Sequence, residues 1–159
     1  MDKAELRRAV VAQLEAELAV LVAAANTSKD EATDAESKQE GRYDMRGQSA
    51  AYLAAGQAKL ATELAEAIAA YRLLPLAPAS PGAPAALGDV VTLEGQKRRT
   101  VYFLGPARGG LEIDLGGQHV TLITAVSPLG RQLLGRRLGE TVTLPGPRPG
   151  QIQSVIGIE

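Results

Sequence analysis

Apolar residues in the first part of the chain recur three or four positions apart, between polar and charged residues. A stripe of this kind lies along one side of a helix and requires a partner helix packed at a shallow angle. Two such runs occur, and polar Gln57 occupies one position of the second. The apolar positions are Val11, Leu14, Leu18, Leu21 and Ala25 in the first run, and Leu53, Leu60, Leu64, Ala67 and Tyr71 in the second.

A polar and acidic segment, residues 26–49, separates the two runs. The simplest arrangement is an antiparallel helical hairpin, a coiled coil in which the two stripes face each other and the acidic segment forms the tip. At ~1.5 Å per residue, an arm of about 25 to 30 residues would reach ~40 Å, which exceeds what a small domain needs for its stability. The alternative is a plain helical bundle that folds back on the rest of the chain. The projecting hairpin is favoured, and its tip is where function is expected.

The last part of the chain is rich in Gly, Val, Thr and Pro, a composition typical of strands and turns. Leu111, Ile113 and Leu115 alternate with Glu112 and Asp114, which is the period of a half-buried strand. Turns that contain glycine separate the predicted strands. These strands are Val90–Glu94, Arg99–Gly105, Leu111–Leu115, His119–Ala125, Thr141–Leu144 and Ile152–Glu159.

One short helix is predicted among these strands. Ser127 is a good N-cap, and Pro128 suits the first helical position. The sequence therefore predicts a small antiparallel sheet around one helix, and an α+β fold for the whole chain. The apolar face of the helix and the glycines that can end it are Leu129, Leu133 and Leu134, followed by Gly135 or Gly139.

Four prolines mark the boundary between the two parts. Each lacks an amide hydrogen and restricts the residue before it, so a helix cannot continue through the segment. A semi-rigid linker or an extended connection is expected. The predicted organisation is a helical hairpin at residues 1–74, a Pro-rich linker at 75–88 and a C-terminal β domain at 89–159. The prolines are Pro75, Pro78, Pro81 and Pro84.

Composition narrows the possible functions. The chain has 159 residues and no cysteine, which excludes disulfides, thiolate metal sites and cysteine nucleophiles. A single histidine, His119, disfavours a histidine-cluster metal site or a Ser-His-Asp hydrolase. A net charge of −1 disfavours a strongly basic nucleic-acid binder. The charge is uneven, because residues 1–75 carry 12 acids and 9 bases (net −3) and the remainder 6 acids and 8 bases (net +2).

The beginning of the chain is charged and lacks the apolar block and cleavage site of a signal peptide. No stretch is expected to supply the ~20 apolar residues of a membrane span. A soluble cytoplasmic protein without a membrane partner is therefore predicted.

The segment Ser127–Arg136, followed by Leu138–Val142, resembles the Ser-Pro helix, the Leu-Gly pair and the Gly-acid turn of the Gre-type transcript-cleavage factors (the GreA/GreB family). The predicted hairpin is similar to the acidic tip, tip tyrosine and returning helix of the same family. The resemblance covers nearly the whole chain and is most specific in the Ser-Pro region. The hairpin residues in step with the family pattern are Tyr43, Tyr52, Leu60 and Leu64.

This resemblance implies a partner and a mechanism. Family members bind bacterial RNA polymerase through an FKBP-like β domain at the rim of the secondary channel, and they insert the coiled coil into that channel. Two acids at the tip help to hold a catalytic Mg²⁺ for the cleavage of backtracked RNA, so the nascent RNA 3′ end is engaged only indirectly. The Mg²⁺ is held jointly with the polymerase, and the factor itself is not an enzyme. The residues expected to bind the polymerase are Ser127, Pro128, Leu129, Gly130 and Arg131.

The tip departs from the family pattern at one position. Counting back from Tyr43, the first tip acid of the family falls on Glu36 and the second on Gln39, with Glu40 beside it. Glutamine offers a neutral carbonyl and is a poorer Mg²⁺ ligand than a carboxylate. Glu36 and Glu40 are therefore the expected catalytic metal ligands, after a small rotation of the helix, with Asp34 as a further candidate. The alternative is a regulator that occupies the channel without stimulating cleavage.

A different class of function is an interaction protein, unrelated to polymerase, whose hairpin pairs with another chain. Size in solution discriminates the two classes, because a self-folded hairpin gives an elongated monomer, which is expected here. An interaction coil would give dimers through the stripe from Leu53 to Tyr71. A regulator of the nucleoside-diphosphate-kinase-regulator type is a third option, and the full-length hairpin argues against its short coil.

Overall fold

The computed structural model describes residues 1–36, 45–78, 80–96, 98–144 and 151–159, and the side chains of these except at 28–36 and 45–51. Two long helices precede a six-stranded sheet, and a short helix lies between the fourth and fifth strands. The α+β class predicted from the sequence is confirmed. The elements are α1 (Lys3–Glu36), α2 (Met45–Leu73), β1 (Val90–Gly95), β2 (Arg98–Gly105), β3 (Glu112–Leu115), β4 (Gln118–Thr124), α3 (Pro128–Leu133), β5 (Thr141–Leu144) and β6 (Gln151–Ile158).

The chain forms two compact units. Unit 1 comprises Met1–Val11 and Ala70–Glu159, and unit 2 comprises Ala12–Ala69. Unit 1 therefore holds the sheet and α3 together with the first turns of α1 and the last turn of α2. The domain boundaries predicted at residues 74 and 88 stay a prediction.

Helix α1 begins with a side-chain cap. The Oδ1 atom of Asp2 accepts hydrogen bonds from the backbone N–H groups of Ala4 at 2.8 Å and Glu5 at 3.2 Å. These bonds satisfy two amides that have no partner within the helix. They also favour the charged carboxylate, and they therefore lower the pKa of Asp2.

Burial along the two long helices follows the predicted stripe only in part. In α1 the side chain of Leu14 is fully buried, and the four other stripe positions are half-buried. In α2 the side chains of Leu64 and Ala67 are buried. Leu53 is 64% exposed and Leu60 40% exposed, so these two positions are not buried as the stripe predicted. The apolar repeat thus extends further along α2 than the burial does.

The six strands lie in the order β3-β4-β2-β1-β6-β5. All pairings are antiparallel except β2 with β4, which is parallel, so the predicted antiparallel sheet is in fact mixed. Burial explains this exception. Val120 and Leu122 of β4 are fully buried, whereas β3 carries the charges of Glu112 and Asp114. The apolar strand of this hairpin therefore lies against β2, and the charged strand forms the edge.

One face of the sheet packs against α3. Leu129 and Leu133 of this helix belong to one buried cluster with Val91, Leu104 and Val155 of the strands. Because alternate residues of a strand point to opposite faces, this cluster also defines which strand positions face α3. The helix and the sheet together form the core that the sequence predicted for this part of the chain.

The opposite face carries Phe103, and the ring of Tyr71 from the last turn of α2 stacks on it. The ring centroids are 6.3 Å apart and the planes are inclined by 28°. The Tyr71 hydroxyl donates a hydrogen bond of 2.7 Å to the carbonyl of Ala107. Gly105 leaves the space for this hydroxyl, because a Cβ there would lie 2.1 Å from the Tyr71 oxygen. Burial raises the pKa of Tyr71, so the hydroxyl keeps its proton and remains a donor.

Within unit 1, a side chain of α1 is hydrogen-bonded to the start of the proline-rich segment. The Nζ atom of Lys3 donates to the carbonyl of Ala77 at 2.6 Å and to Oδ1 of Asp89 at 3.0 Å. The other oxygen of Asp89 accepts a 2.8 Å hydrogen bond from the backbone N–H of Ala86. The Lys3 and Asp89 side chains are largely buried, so this ion pair is less screened than an exposed one.

The second half of the segment joins the chain that follows α3. The N–H of Ala85 donates to the carbonyl of Arg136 at 2.7 Å, and the N–H of Gly135 donates to the carbonyl of Ala85 at 2.8 Å. The Ala85 side chain lies in the α3 cluster. These residues are therefore packed against the sheet domain rather than forming a free connection.

The expectation that no stretch matches a membrane span is wrong by length and composition. Residues Lys3–Thr27 form a helical stretch that is long and apolar enough to cross a membrane. The side chains of Leu6, Val10 and Leu14 in this stretch are fully buried within the protein. Most of this stretch is nevertheless not buried within the protein, and the absence of a membrane partner stays a prediction.

Candidate functional site

The segment singled out by its sequence is a tightly capped turn that starts α3. The Oγ atom of Ser127 accepts a hydrogen bond of 2.9 Å from the N–H of Gly130 and donates one of 2.8 Å to the carbonyl of Thr124. Ser127 is the N-cap, with Pro128 at the start of the helix, as predicted. Pro128 costs no hydrogen bond there, since the first amides of a helix have no partner within it.

Gly130 is required by this turn for steric reasons. A Cβ at this position would lie 1.9 Å from the carbonyl oxygen of Thr124 and 2.9 Å from Oγ of Ser127. Both atoms belong to the cap itself, so neither can move away without breaking its hydrogen bonds. The Ser-Pro-Leu-Gly pattern is therefore the pattern that this local backbone needs.

The five residues predicted to bind a partner differ in exposure. Leu129 and Gly130 are buried, and Ser127 is half-buried with its hydroxyl engaged in the cap. Pro128 and Arg131 are exposed. The five residues are adjacent in space, but only two of them present an exposed side chain. Their role in binding stays a prediction.

Pro128 and Arg131, together with Val126, form what we call the cap surface. Val126 is 76% exposed although it is apolar. Nη1 of Arg131 donates a 2.7 Å hydrogen bond to the carbonyl of Val126, which fixes the guanidinium beside it. Val126 is not among the residues predicted from the sequence, where its signal is a branched apolar residue directly before the cap. The surface offers two apolar groups and one positive charge on a rigid backbone.

Most residues of the predicted acidic tip lie outside the described part of the chain. Glu36 is the last residue of α1, and its side chain, like that of Asp34, is not described. Gln39 and Glu40 lie outside the described residues. Within the described ranges, no group of three or more His, Asp or Glu residues could hold a metal ion. Glu36, Glu40 and Asp34 as ligands of Mg²⁺ therefore remain a prediction.

A second polar cluster lies on the hairpin of β3 and β4. Nδ1 of His119 lies 2.8 Å from Oδ1 of Asp114, and Nε2 lies 3.6 Å from Oε2 of Glu112. The hydrogen bond to Asp114, aided by the charges of both carboxylates, raises the pKa of His119. The strand register pairs Asp114 with His119. The alternation of residues in β3 and β4 shows which side chains share a face of the sheet. The length of the turn between the strands decides which residues lie opposite each other.

The arginines near α3 are used within the protein. Nε of Arg136 donates to the carbonyl of Gln132 at 3.0 Å, and Arg137 donates to the carbonyl of Gly82. At the other end of the sheet, Nε of Arg99 lies 2.8 Å from Oε1 of Glu94. Arg136, Arg137 and Arg99 therefore each have a bonding partner within the protein.

The chain is thus an α+β protein in which two long helices precede a mixed sheet, and the helix packed on that sheet begins at a Ser-Pro cap. No protein-family model and no curated protein matches the chain. Among solved structures the chain is similar to GreA factor homolog 1 (Gfh1) of Thermus thermophilus, with 21% identity, 94% of each chain covered and a TM-score of 0.39.

Two further solved structures extend this comparison. Gfh1 of Thermus aquaticus matches with 19% identity over 95% of this chain and 94% of that one, at a TM-score of 0.41. The transcription elongation factor GreA/GreB from Nitrosomonas europaea matches with 19% identity over 65% of this chain and 78% of that one, at a TM-score of 0.39. These matches are too distant to indicate function.

Proposed function

We propose that this chain is a cytoplasmic, monomeric transcription factor of Gre type that binds bacterial RNA polymerase at its secondary channel. The observation that carries the proposal is the capped turn at Ser127–Arg131. Its sequence resembles the most specific motif of that family, and every buried residue of the motif has a structural reason to be there. The remaining exposed residues, Pro128 and Arg131, are then the ones free to contact a partner.

The cap surface has the properties of a protein-binding site. Its backbone is held by the Ser127 cap, so little conformational entropy is lost when a partner binds. Arginine and exposed apolar groups are enriched at the energetic centres of interfaces. The half of the chain that bears this surface carries a net charge of +2, which suits an acidic protein surface.

Cleavage of backtracked RNA is the activity we assign to the complex. The polymerase would remain the enzyme, and this chain would present Glu36 and Glu40, with Asp34 as a further candidate, to the catalytic Mg²⁺. Two-metal hydrolysis needs one ion to activate water and both ions to neutralise developing charge. Mg²⁺ keeps several waters and accepts one or two inserted carboxylates. Gln39 supports the alternative, a factor that occupies the channel without stimulating cleavage.

Binding is tested with purified core RNA polymerase. The double variant Pro128→Ala/Arg131→Ala removes both exposed side chains of the motif and keeps the cap residues. We expect it to lower affinity at least tenfold, while the matched variant Arg98→Ala, which removes an exposed arginine elsewhere on the sheet, leaves affinity unchanged. Equal affinity for all three proteins, or no binding by the unmodified chain, would overturn the proposal.

Cleavage is tested on a backtracked elongation complex supplied with Mg²⁺, with RNA length as the readout. The unmodified chain should shorten the RNA, and Glu36→Ala/Glu40→Ala should abolish shortening while retaining binding. Binding without shortening by the unmodified chain would establish the non-cleaving alternative. Loss of binding in the double variant would make the tip an anchor rather than a ligand donor.

Pairing of the second stripe with another chain has little support. Leu64, Ala67 and Tyr71 of this stripe are already buried in the single chain. A partner helix would have to displace those contacts, and only Leu53 and Leu60 are exposed for a new one. A monomer measured by light scattering is therefore expected.

A further inference from the structure

The side chain of Gln132 makes two hydrogen bonds to the backbone of one residue in an edge strand. Its Nε2 donates to the carbonyl of Thr143 at 2.9 Å, and its Oε1 accepts from the N–H of Thr143 at 2.9 Å. This pair of bonds is the one that a neighbouring strand residue makes in an antiparallel ladder. The amide of Gln132 therefore takes the place of a strand at this position.

The bonds fall on the open side of the sheet. In the described part of the sheet, strand β5 lies at the end of the strand order and has β6 as its one neighbour. The N–H of Val155 in β6 donates to the carbonyl of Glu140 at 2.8 Å, so Glu140 faces β6. Backbone groups alternate in direction along a strand, and Val142 and Leu144 therefore also face β6. The outward positions of β5 are Thr141 and Thr143.

Only one orientation of the Gln132 amide satisfies both bonds. The opposite orientation would set the amide NH₂ against the N–H of Thr143 and oxygen against oxygen. The second hydrogen of Nε2 points back to the carbonyl of Pro128 at 3.4 Å, within α3 itself. The carbonyl of Gln132 in turn accepts from Nε of Arg136 at 3.0 Å. The side chain and the backbone of this residue are thus both held in place.

We propose that Gln132 closes the β5 edge against pairing with the β5 strand of a second copy of this chain. An open edge presents unpaired N–H and C=O groups that serve as a template for strand addition. Strand β5 has four residues, and Thr143 supplies the inner of its two outward positions. With Thr143 engaged, Thr141 is the one remaining outward position within Thr141–Leu144, and one residue cannot sustain a ladder. Two β5 edges can pair around a two-fold axis when both are open.

This inference does not depend on the proposed polymerase partner. It requires only that α3 stays in its place, which the Ser127 cap at one end and the buried Leu133 near the other ensure. Helix α3 then acts as a cover for the sheet edge as well as a part of the core. The device is specific to Gln132, because Asn would be shorter by one methylene and Glu would lack the donor.

The test compares Gln132→Ala with Gln118→Ala, which removes an exposed glutamine at the β3–β4 turn. At a concentration where Gln132→Ala is monomeric, hydrogen exchange of the Thr143 amide should become roughly tenfold faster, since one stabilising hydrogen bond is lost. The amides of β1 should exchange at unchanged rates. Light scattering over rising concentration should show dimers for Gln132→Ala, and monomers for Gln118→Ala and the unmodified chain.

A double variant decides whether the dimers form through β5. Thr143→Pro removes the outward N–H and leaves the bonds to β6 intact, because proline is tolerated at an outward position of an edge strand. Gln132→Ala/Thr143→Pro should therefore return to a monomer. Dimers that persist in the double variant, a Gln132→Ala variant that stays monomeric, or unchanged exchange of the Thr143 amide would each overturn the proposal. Faster exchange throughout the sheet would also overturn it, because Gln132 would then serve general stability.

Discussion

The two units of this protein are stabilised in different ways. In unit 1, side chains from distant parts of the chain meet, as in the stack of Tyr71 on Phe103 and the ion pair of Lys3 with Asp89. In unit 2, several large apolar side chains are exposed on the helices, including Tyr52 at 85% and Leu53 at 64%. Among the largest fully buried side chains, Leu14 alone comes from the described part of unit 2, so apolar burial is concentrated in unit 1, which holds the sheet.

This contrast has an energetic consequence. Burial of apolar surface is the main stabilising contribution, and it scales with the area removed from water. A buried residue of unit 1 should therefore cost far more to truncate than an exposed residue of the same type in unit 2. The chain offers matched pairs of leucine, glycine and tyrosine for this comparison.

The leucine pair should show the largest difference. Leu6 in unit 1 is fully buried, and Leu53 in unit 2 is largely exposed, although both lie in long helices. Leu6→Ala should lower the free energy of unfolding by ~3 kcal/mol through lost burial and a cavity. Leu53→Ala should change it by less than about 0.5 kcal/mol. Urea denaturation of both variants measures this, and equal losses would mean that the contrast between the units is false.

The glycine pair should give effects of opposite sign. Gly130→Ala places a methyl group against the Thr124 carbonyl and should destabilise by ~2 to 3 kcal/mol. Gly56 lies within α2 with open space around its Cβ position, so Gly56→Ala should stabilise by ~1 kcal/mol. Thermal unfolding of the two variants measures both signs. A tolerated Gly130→Ala would show that the cap is less tightly packed than the distances indicate.

The sequence predicted the elements of unit 1 well, because its signals are local. The N-cap at Ser127 and the strand Thr141–Leu144 were predicted as observed, since capping chemistry and alternation act over a few residues. The parallel pairing of β2 with β4 was missed. This pairing depends on which strand of the β3–β4 hairpin is more apolar. The alternation within one strand does not show this, because it requires a comparison of the two strands.

The sequence predicted unit 2 and the candidate site less completely. The apolar repeat in α2 continues through Leu53, but burial follows it only from Leu64 onward, because a repeat shows which side is apolar and not how far a partner extends. At the cap, the motif predicted where α3 begins but not which side chains are exposed. Burial of Leu129 and exposure of Val126 depend on the direction in which α3 packs on the sheet.

The tyrosine pair should show a smaller difference. Tyr71→Phe keeps the stack on Phe103 and removes the hydrogen bond to the carbonyl of Ala107, which should cost ~1 kcal/mol. Tyr52 is largely exposed, so Tyr52→Phe should have no measurable effect. The free energies of unfolding from denaturant titration provide the test. A cost for Tyr71→Phe that matches Tyr52→Phe would mean that the Ala107 carbonyl finds another donor.

The smallest effect concerns pH and His119, which is exposed and therefore screened by solvent. Its pKa in the folded protein is raised above 6.5, chiefly by the hydrogen bond to Asp114. The protonated form is thus favoured by folding, and the stabilisation is fully present below pH 6.5. It is lost as the pH rises through the folded pKa. Stability of the unmodified chain should therefore decline slightly across this window.

His119→Gln isolates this contribution, because the chain has no other histidine to titrate in the same range. The difference in melting temperature between the unmodified chain and the variant should be largest at low pH and shrink as the pH rises above 6.5. The pKa of Asp2 is lowered, so its contribution to stability is lost as the pH falls, in the acid range, and the two pH windows do not overlap.

An NMR titration of His119 in the Asp114→Asn variant tests which carboxylate raises the pKa of His119. Loss of the carboxylate that holds the imidazolium should move the pKa of His119 back toward its ordinary value, and an unmoved pKa would assign the shift to Glu112 instead.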